Sequence, residues 1–286
     1  MSESGGNSSI LSGRGRPIIV FGQPSFARPD SQLVSASQIY EAEYRKWLDR
    51  MGLGLNMDRK SWEYCFIMQA ITTYARAGEG ARGLGFGCGK EFIPSILAAD
   101  GAEIVATDYV GEQVSNSGWE ARSIEDLFFG QYIDRPTFDR KVSFRHQDMN
   151  LIDEDLRDFD FLWSTGSLEH IGSHANGLRF VERAMDCLKP GGVAVHTTEF
   201  TITSETVSQD LPDLSFYCRK DIEGLAMRLI DAGHAIVLNF DRGTTVADTH
   251  VDLPPYHHGR TLAAHHDAHI ITSIGLIIQK DGLRGT

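Results

Sequence analysis

Gly83 to Asp108 reads GLGFGCGKEFIPSILAADGAEIVATD, and its interpretation decides the fold. A short apolar approach leads to glycines at Gly85, Gly87 and Gly89, then to Phe92, Ile93, Ile96 and Leu97, which share one helical face. Pro94 falls in the first helical turn, where its missing N–H costs little. Gly101 stops the helix, and Ile104-Val105-Ala106 ends in Asp108. Strand, glycine turn, helix and a strand closed by an acid describe the start of a nucleotide-binding βαβ unit. Glycine allows the backbone to turn sharply beside a ligand, and a carboxylate about 20 residues on sits where it can bind both ribose hydroxyls. Spacing then narrows the ligand. A dinucleotide fingerprint reads G-x-G-x-x-G, whereas here Lys90 stands where its last glycine belongs, which disfavours a nicotinamide dinucleotide.

Composition bounds the rest. A chain of 286 residues with 41% hydrophobic content can build one sizeable core. Its net charge of -12 argues against a nucleic-acid partner, which demands a basic face. Cys65, Cys88, Cys187 and Cys218 are isolated, so neither a zinc cage nor a disulfide framework is expected, and a reducing cytoplasm fits. No apolar run approaches the roughly 18 residues of a membrane span, and the opening MSESGGNSS lacks a signal-peptide core.

Along the chain, residues 1–33 are rich in Ser, Gly, Arg and Pro and are expected to form a loose arm. Residues 34–80 hold two helices: one from Ser35 to about Met51, stopped by Gly52, and one capped by Asp58 with Trp62, Phe66, Ala70 and Tyr74 as its apolar stripe. From residue 81 onward strands and helices alternate. Residues 109–141 are long for a connection and are expected to contain one helix and a wall of the acceptor site. Val142 to His146 alternates as a strand into Asp148-Met149, and Phe161-Leu162-Trp163 is a buried strand that runs into Ser164 and then Leu168-Glu169-His170. Leu178, Val181, Met185 and Leu188 mark a helix ended by Lys189-Pro190-Gly191-Gly192, and Val193 to His196 follows as a strand leading to Thr197, Thr198 and Glu199. His196 is expected to point into the sheet. A helix from Asp221 to Ala232 precedes two last strands, Ala235 to Phe240 and His269 to Lys280, separated by an insertion loop over residues 241–268.

The form G-x-G-x-G, Asp108, Asp148-Met149, SLEHIG and LKPGG together resemble the class I S-adenosyl-L-methionine (SAM) methyltransferases, over residues 82–280. The resemblance implies an α/β, Rossmann-like sheet of seven strands whose last strand enters antiparallel, with the N-terminal helices as a cover. It implies SAM as cofactor, held by Gly85, Gly87, Gly89, Asp108, Asp148, Met149 and Ser164. Relatives carry an acid two positions before the first loop glycine. Here that position is Gly83, and Glu91 is the candidate replacement. The stretches GLGFGCGKE, SLEHIGS, VAVHTTEF, DLPPY and TSIGLIIQK are also similar to a bacterial subgroup associated with surface-polysaccharide and glycosyltransferase loci.

Methyl transfer to oxygen requires alignment, exclusion of water and removal of a proton. Histidine suits the last role near neutral pH, which makes His170 the candidate base and Glu199 its orienting or acceptor-binding partner. Glu169, Tyr217, Arg219 and Tyr256 are the candidate acceptor contacts, Tyr256 as a face for a sugar ring. The late histidines and acids, Asp248, His250, Asp252, His257, His258, His265, His266 and His269, match no metal-ligand spacing, and no metal is assigned. The expected acceptor is a small molecule or saccharide with a hydroxyl. A natural-product or quinone-like acceptor, methylated on nitrogen or oxygen, and a SAM-binding partner of a glycosyltransferase without turnover remain open.

Overall fold

A computed structural model describes residues 18–109, 118–256 and 261–281. In chain order its strands are β1 (Ile19–Val20), β2 (Ser31–Leu33), β3 (Arg82–Phe86), β4 (Glu103–Asp108), β5 (Val142–His146), β6 (Phe159–Thr165), β7 (Leu188–Thr201), β8 (Gln209–Leu211), β9 (Leu214–Phe216), β10 (Ala235–Ile236), β11 (Leu238–Asn239), β12 (Ala264–His266) and β13 (His269–Gln279). The α-helices are α1 (Ala36–Ile39), α2 (Ala42–Met51), α3 (Arg59–Tyr74), α4 (Ile93–Ala99), α5 (Arg135–Lys141), α6 (His174–Ala184), α7 (Arg219–Asp231) and α8 (Val246–Thr249). The main sheet runs β1-β11-β2-β13-β7-β6-β3-β4-β5. Strands β5, β4, β3, β6 and β7 are parallel, and β13 enters antiparallel to β7 over nine residue pairs from Ile271 to Gln279.

The sheet is buried on both faces, as parallel sheets with helical crossovers are. On one side Trp62, Phe66 and Ile71 of α3 and Ile93, Ile96 and Leu97 of α4 meet Phe161, Trp163, Val195 and Ile277. On the other, Phe180 and Val181 of α6 and Ile222, Leu225 and Leu229 of α7 meet Leu84, Leu162, Ala194 and Leu276. Helix α3 starts where expected because Asp58 accepts a hydrogen bond from the Ser61 N–H, and it reaches the sheet where Gly275 leaves room for the Phe66 ring.

Several expectations change: the helix expected from Ser35 to about Met51 is two, α1 and α2, and Lys189 to Gly192 lies inside β7 rather than in a turn before it. Residues 18–33 of the supposed loose arm belong to the sheet: β1 lies along β11, and β2 inserts between β11 and β13. Phe26 is fully buried against Tyr44, with the Phe26 and Ala27 N–H groups on the Glu41 carboxylate, so the arm is tied down by packing and hydrogen bonds. The strand expected over residues 235–240 is split by this insertion into β10, which pairs with β13, and β11, which pairs with β2. The sheet therefore exceeds the expected seven strands. Finally, the 241–268 loop has structure of its own: α8, and a hairpin of β12 on β13. His257 and His258 lie outside the described residues.

Candidate active site

The carboxyl ends of β3, β4, β6 and β7 meet at one edge, where open α/β sheets bind ligands. Gly87 and Gly89 have φ of 57° and 54°, in the left-handed region that glycine alone adopts freely. A side chain at Gly87 would meet Ser167 at 2.7 Å and the Met149 sulfur at 3.3 Å, so Met149 lies against the loop as expected of an apolar wall. At Gly85 a side chain would collide with Cys88 and Trp163, so this glycine serves internal packing.

Asp108 is nearly buried at the end of β4, and its Oδ2 accepts the Gly89 N–H (3.1 Å) and the Ala121 N–H (2.7 Å). Its Oδ1 accepts the Tyr109 N–H at 2.8 Å. Burial raises its pKa above the ordinary carboxylate range, against the pull of these three donors. Among the described residues these three donors leave one lone-pair direction on Oδ1, enough for one ribose hydroxyl in this arrangement rather than the two expected. Residues 118–121 account for the difference: they close over the loop, with Lys90 N–H on the Trp119 carbonyl (2.9 Å) and the Lys90 ammonium on the Gly118 carbonyl (2.8 Å). The segment expected to wall the acceptor thus sits on the glycine loop. Its helix is α5, preceded by a single 3₁₀ turn at Ile124–Leu127, and residues 110–117 lie outside the described residues.

Gly83 has a clear structural reason for lacking an acid. The Phe161 ring comes within 2.3 Å of where its Cβ would stand, and Ile104 within 2.9 Å. Glu91 is instead buried beside Trp163, whose Nε1–H donates to it at 2.7 Å, and burial pushes its carboxyl up to about 7 against that hydrogen bond. Asp148 accepts the Asn150 N–H in a tight turn, and the neighbouring Gln147 side-chain oxygen is buried with no hydrogen-bond partner. A cradle of positive-φ glycines, a carboxylate at the end of β4, an apolar Met149 and an unpaired buried oxygen next to Asp148 suit the polar and aromatic parts of an adenosine cofactor.

Beyond the glycine loop lies a cleft of about 170 Å³ lined by Asp58, Arg59, Lys60, Glu63, Gly166, Glu169, His170 and Glu199. Ser167 joins the two, since its hydroxyl donates to the Gly87 carbonyl at 2.9 Å. Arg59 pairs with Glu199, and the Lys60 ammonium lies 3.1 Å from Glu63. Glu63 is buried and also accepts from the hydroxyls of Ser273 (2.6 Å) and Thr197 (3.3 Å). Glu169, equally buried, accepts from Thr198 at 2.9 Å. Burial pushes its carboxyl up to about 7, with Glu199 and Glu63 adding to the rise and His170 opposing it. The His170 Nδ1 lies 2.6 Å from the Asp213 carbonyl oxygen. A carbonyl only accepts, so Nδ1 carries a proton, and in the neutral imidazole Nε2 then keeps its lone pair, the form a base requires.

The structure brings together Gly87, Gly89, Asp108, Met149, Glu169, His170 and Glu199, and removes others from the expected set. Ser164 is fully buried on the opposite face of β6, 2.8 Å from His196 Nδ1, because side chains alternate along a strand and Trp163 takes the loop side. His196 is fully buried as expected, yet its Nε2 has no partner, and burial pushes its pKa down to about 3, which keeps it neutral. Tyr217 is a core anchor: its hydroxyl donates to the Leu168 carbonyl at 3.0 Å, and burial raises its pKa. Arg219 is held by Glu223 (2.7 Å) and lies over the Phe240 ring, in a different groove that includes Ile19 and Phe21. Tyr256 spends its hydroxyl on the His265 carbonyl at 2.6 Å. Among the described residues, no three of His, Cys, Asp and Glu are grouped to hold a metal ion, and no helix is long and apolar enough to cross a membrane. Sequence reasoning missed Arg59, Lys60 and Glu63, whose one signal was a charged opening to an otherwise aromatic helix.

The profile of a methyltransferase domain family matches residues 56–246. No curated protein matches the chain significantly. Among solved structures, the chain is similar to the [4+2]-cyclase SpnF, at 16% identity and a TM-score of 0.48, covering 88% of this chain and 99% of that one. It is also similar to an S-adenosylmethionine-dependent methyltransferase from Mesorhizobium loti, at 14% identity and a TM-score of 0.41, covering 72% and 93%. A complex of DhpI with SAH aligns at 16% identity and a TM-score of 0.38, covering 71% and 78%. With the family match spanning well over half its length and a βαβ core of β3, α4 and β4, the chain belongs to the methyltransferase domain family and is a SAM-dependent methyltransferase.

Proposed function

We propose that the enzyme methylates a hydroxyl of a small saccharide-type acceptor seated in the charged cleft, in the biosynthesis of a surface glycan. The observation that carries this is the cleft itself: a histidine whose Nδ1 is engaged by a backbone carbonyl, and buried carboxylates, joined through Ser167 to the glycine loop. Its volume of about 170 Å³ is below the roughly 300–1,000 Å³ of pockets for drug-sized ligands, so one small polar ring fits better than a quinone-like polycycle. Four carboxylates, Asp58, Glu63, Glu169 and Glu199, against the cations Arg59 and Lys60 favour a neutral polyhydroxyl acceptor over an anion.

SAM supplies an electrophilic methyl on a cationic sulfur. The chain's own residues do the rest. Gly87, Gly89 and Asp108 would hold the adenosine end, with Met149 as an apolar wall for it. Glu91, anchored by Trp163, stands in for the acid that Phe161 keeps out of position 83. Glu169 and Glu199 accept acceptor hydroxyls, and His170 Nε2 takes the proton of the attacking one. General-base assistance of this kind contributes about 10²–10⁴-fold.

The test is to offer methyl-labelled SAM with a panel of methyl glycosides and identify the methylated product. His170→Ala should lower kcat by about 100-fold or more while SAM affinity stays within about twofold. A fully active variant removes His170 as base, and turnover only with apolar aromatic acceptors contradicts the saccharide reading.

A further inference from the structure

The segment that carries His170 is short and connects β6 to α6, with no sheet partners of its own. Ser167 on Gly87, Glu169 on Thr198, and Asn150 and Asn176 on the Ile171 carbonyl hold it in part, and the His170 ring itself is held by the small hairpin of β8 and β9, closed by Pro212 and Asp213. At the root, Tyr217 is fully buried, its backbone is tied to Glu199 and Thr201 of β7, and its hydroxyl reaches the Leu168 carbonyl at 3.0 Å. At the tip, the Asp213 carbonyl takes the His170 Nδ1–H at 2.6 Å. Between them, Asp210 takes the His174 N–H on Oδ1 (2.6 Å) and the His174 Nδ1–H on Oδ2 (2.8 Å), and the Ser215 hydroxyl across the hairpin donates to the same Oδ1 at 2.7 Å. Residues 210 and 213 of the hairpin, and 217 just after it, thus grip residues 174, 170 and 168 in turn.

From this geometry we infer that the hairpin is a template that fixes the tautomer and aim of His170, and that Asp210 is its positioning residue; the inference rests on the reading of His170 as the base. Asp210 touches neither His170 nor the cleft. It fixes the hairpin against the first residue of α6, where a carboxylate is favoured by the helix dipole, and so sets where the Asp213 carbonyl stands. Without that carbonyl, a neutral imidazole reverts toward the Nε2–H form and loses the Nε2 lone pair. The contact therefore acts as a second-layer orienter does in a nucleophile–base pair, with a backbone carbonyl in place of a carboxylate.

The experiment is nitrogen NMR on the full chain labelled at the imidazole nitrogens, at about pH 8, with the His170 signals assigned by their absence in His170→Ala. The native protein should show His170 protonated at Nδ1 and bare at Nε2. Asp210→Ala should show exchange toward the Nε2–H form, with Asp210→Asn, which keeps one acceptor oxygen, in between. An unchanged tautomer in both folded variants overturns the proposal, and Asp210→Asn decides it alone if the alanine variant does not fold. Activity supplies the second readout, on whichever methyl glycoside is turned over. Asp210→Ala should lower kcat about tenfold with KM within about twofold, and should cause no further loss in a His170→Ala background. Loss in both backgrounds assigns Asp210 to folding alone and overturns the proposal. A fully active His170→Ala enzyme defeats the base reading instead, and the tautomer measurement separates the two failures.

Discussion

Single residues at this site are governed by what surrounds them more than by their chemical type. Glu91 and Glu169 are both carboxyls pushed up to about 7, Glu91 beside a tryptophan N–H and Glu169 among other carboxylates. Glu91 gives the cleaner test because glutamine keeps an acceptor for Trp163. Its folded pKa lies above its unfolded one, so its contribution is intact below about pH 4.5 and is lost as pH rises through about 7. A shift of this size corresponds to on the order of 3 kcal/mol. Urea unfolding of Glu91→Gln should therefore show a clear gain over the native enzyme at about pH 8.5 that shrinks at about pH 5. A gap independent of pH contradicts the burial account. Residue-scale features were unevenly legible in the sequence. Asp108 and the glycines stood out by spacing, but the acid missing at Gly83 made sense only once the Phe161 ring was seen to fill its place. Ser164 lies on the other face of β6 from Trp163, which strand alternation alone dictates.

At the scale of elements, α3 turns a fold into a site. Its aromatic side packs on the sheet, with Trp62 and Phe66 stacked at 4.8 Å, and that contact delivers Arg59, Lys60 and Glu63 to the edge beside Glu169 and Glu199. The approach depends on Gly275, where a methyl group would stand 2.2 Å from the buried Phe66 ring. Gly275→Ala should cost about 1–3 kcal/mol, read as a lower midpoint in denaturant unfolding, and should weaken acceptor binding in parallel. An unchanged midpoint contradicts this seating of the helix. The aromatic stripe was plain from its spacing of four. Which charged residues at the helix start would face the site was not, because it depends on contacts with residues more than 100 positions away, such as Arg59 with Glu199.

For the whole molecule, the largest departure from expectation is at the start of the described chain. The stretch Ser31–Leu33 is too short and too polar to show strand alternation, yet all three residues are buried between β11 and β13. Its pairing is decided by partners more than 200 residues away, which local pattern does not encode. Removing residues 1–33 should therefore lower Tm by roughly 10 °C or more, or prevent folding, since it strips ladder partners from β13 and takes away the buried Phe26. A truncated protein as stable as the full chain contradicts the inserted strand. By contrast, the alternation of parallel strands with helices and the antiparallel β13 agree with what the methyltransferase resemblance implies.

The joined loop and cleft are tested most directly by a crystal structure with S-adenosylhomocysteine bound. The account predicts adenosine along Gly87 and Gly89 with a ribose hydroxyl on Asp108, and the sulfur facing the opening lined by Glu63, Glu169 and His170. Sulfur turned away from that opening, or the nucleoside bound elsewhere on the sheet edge, contradicts it.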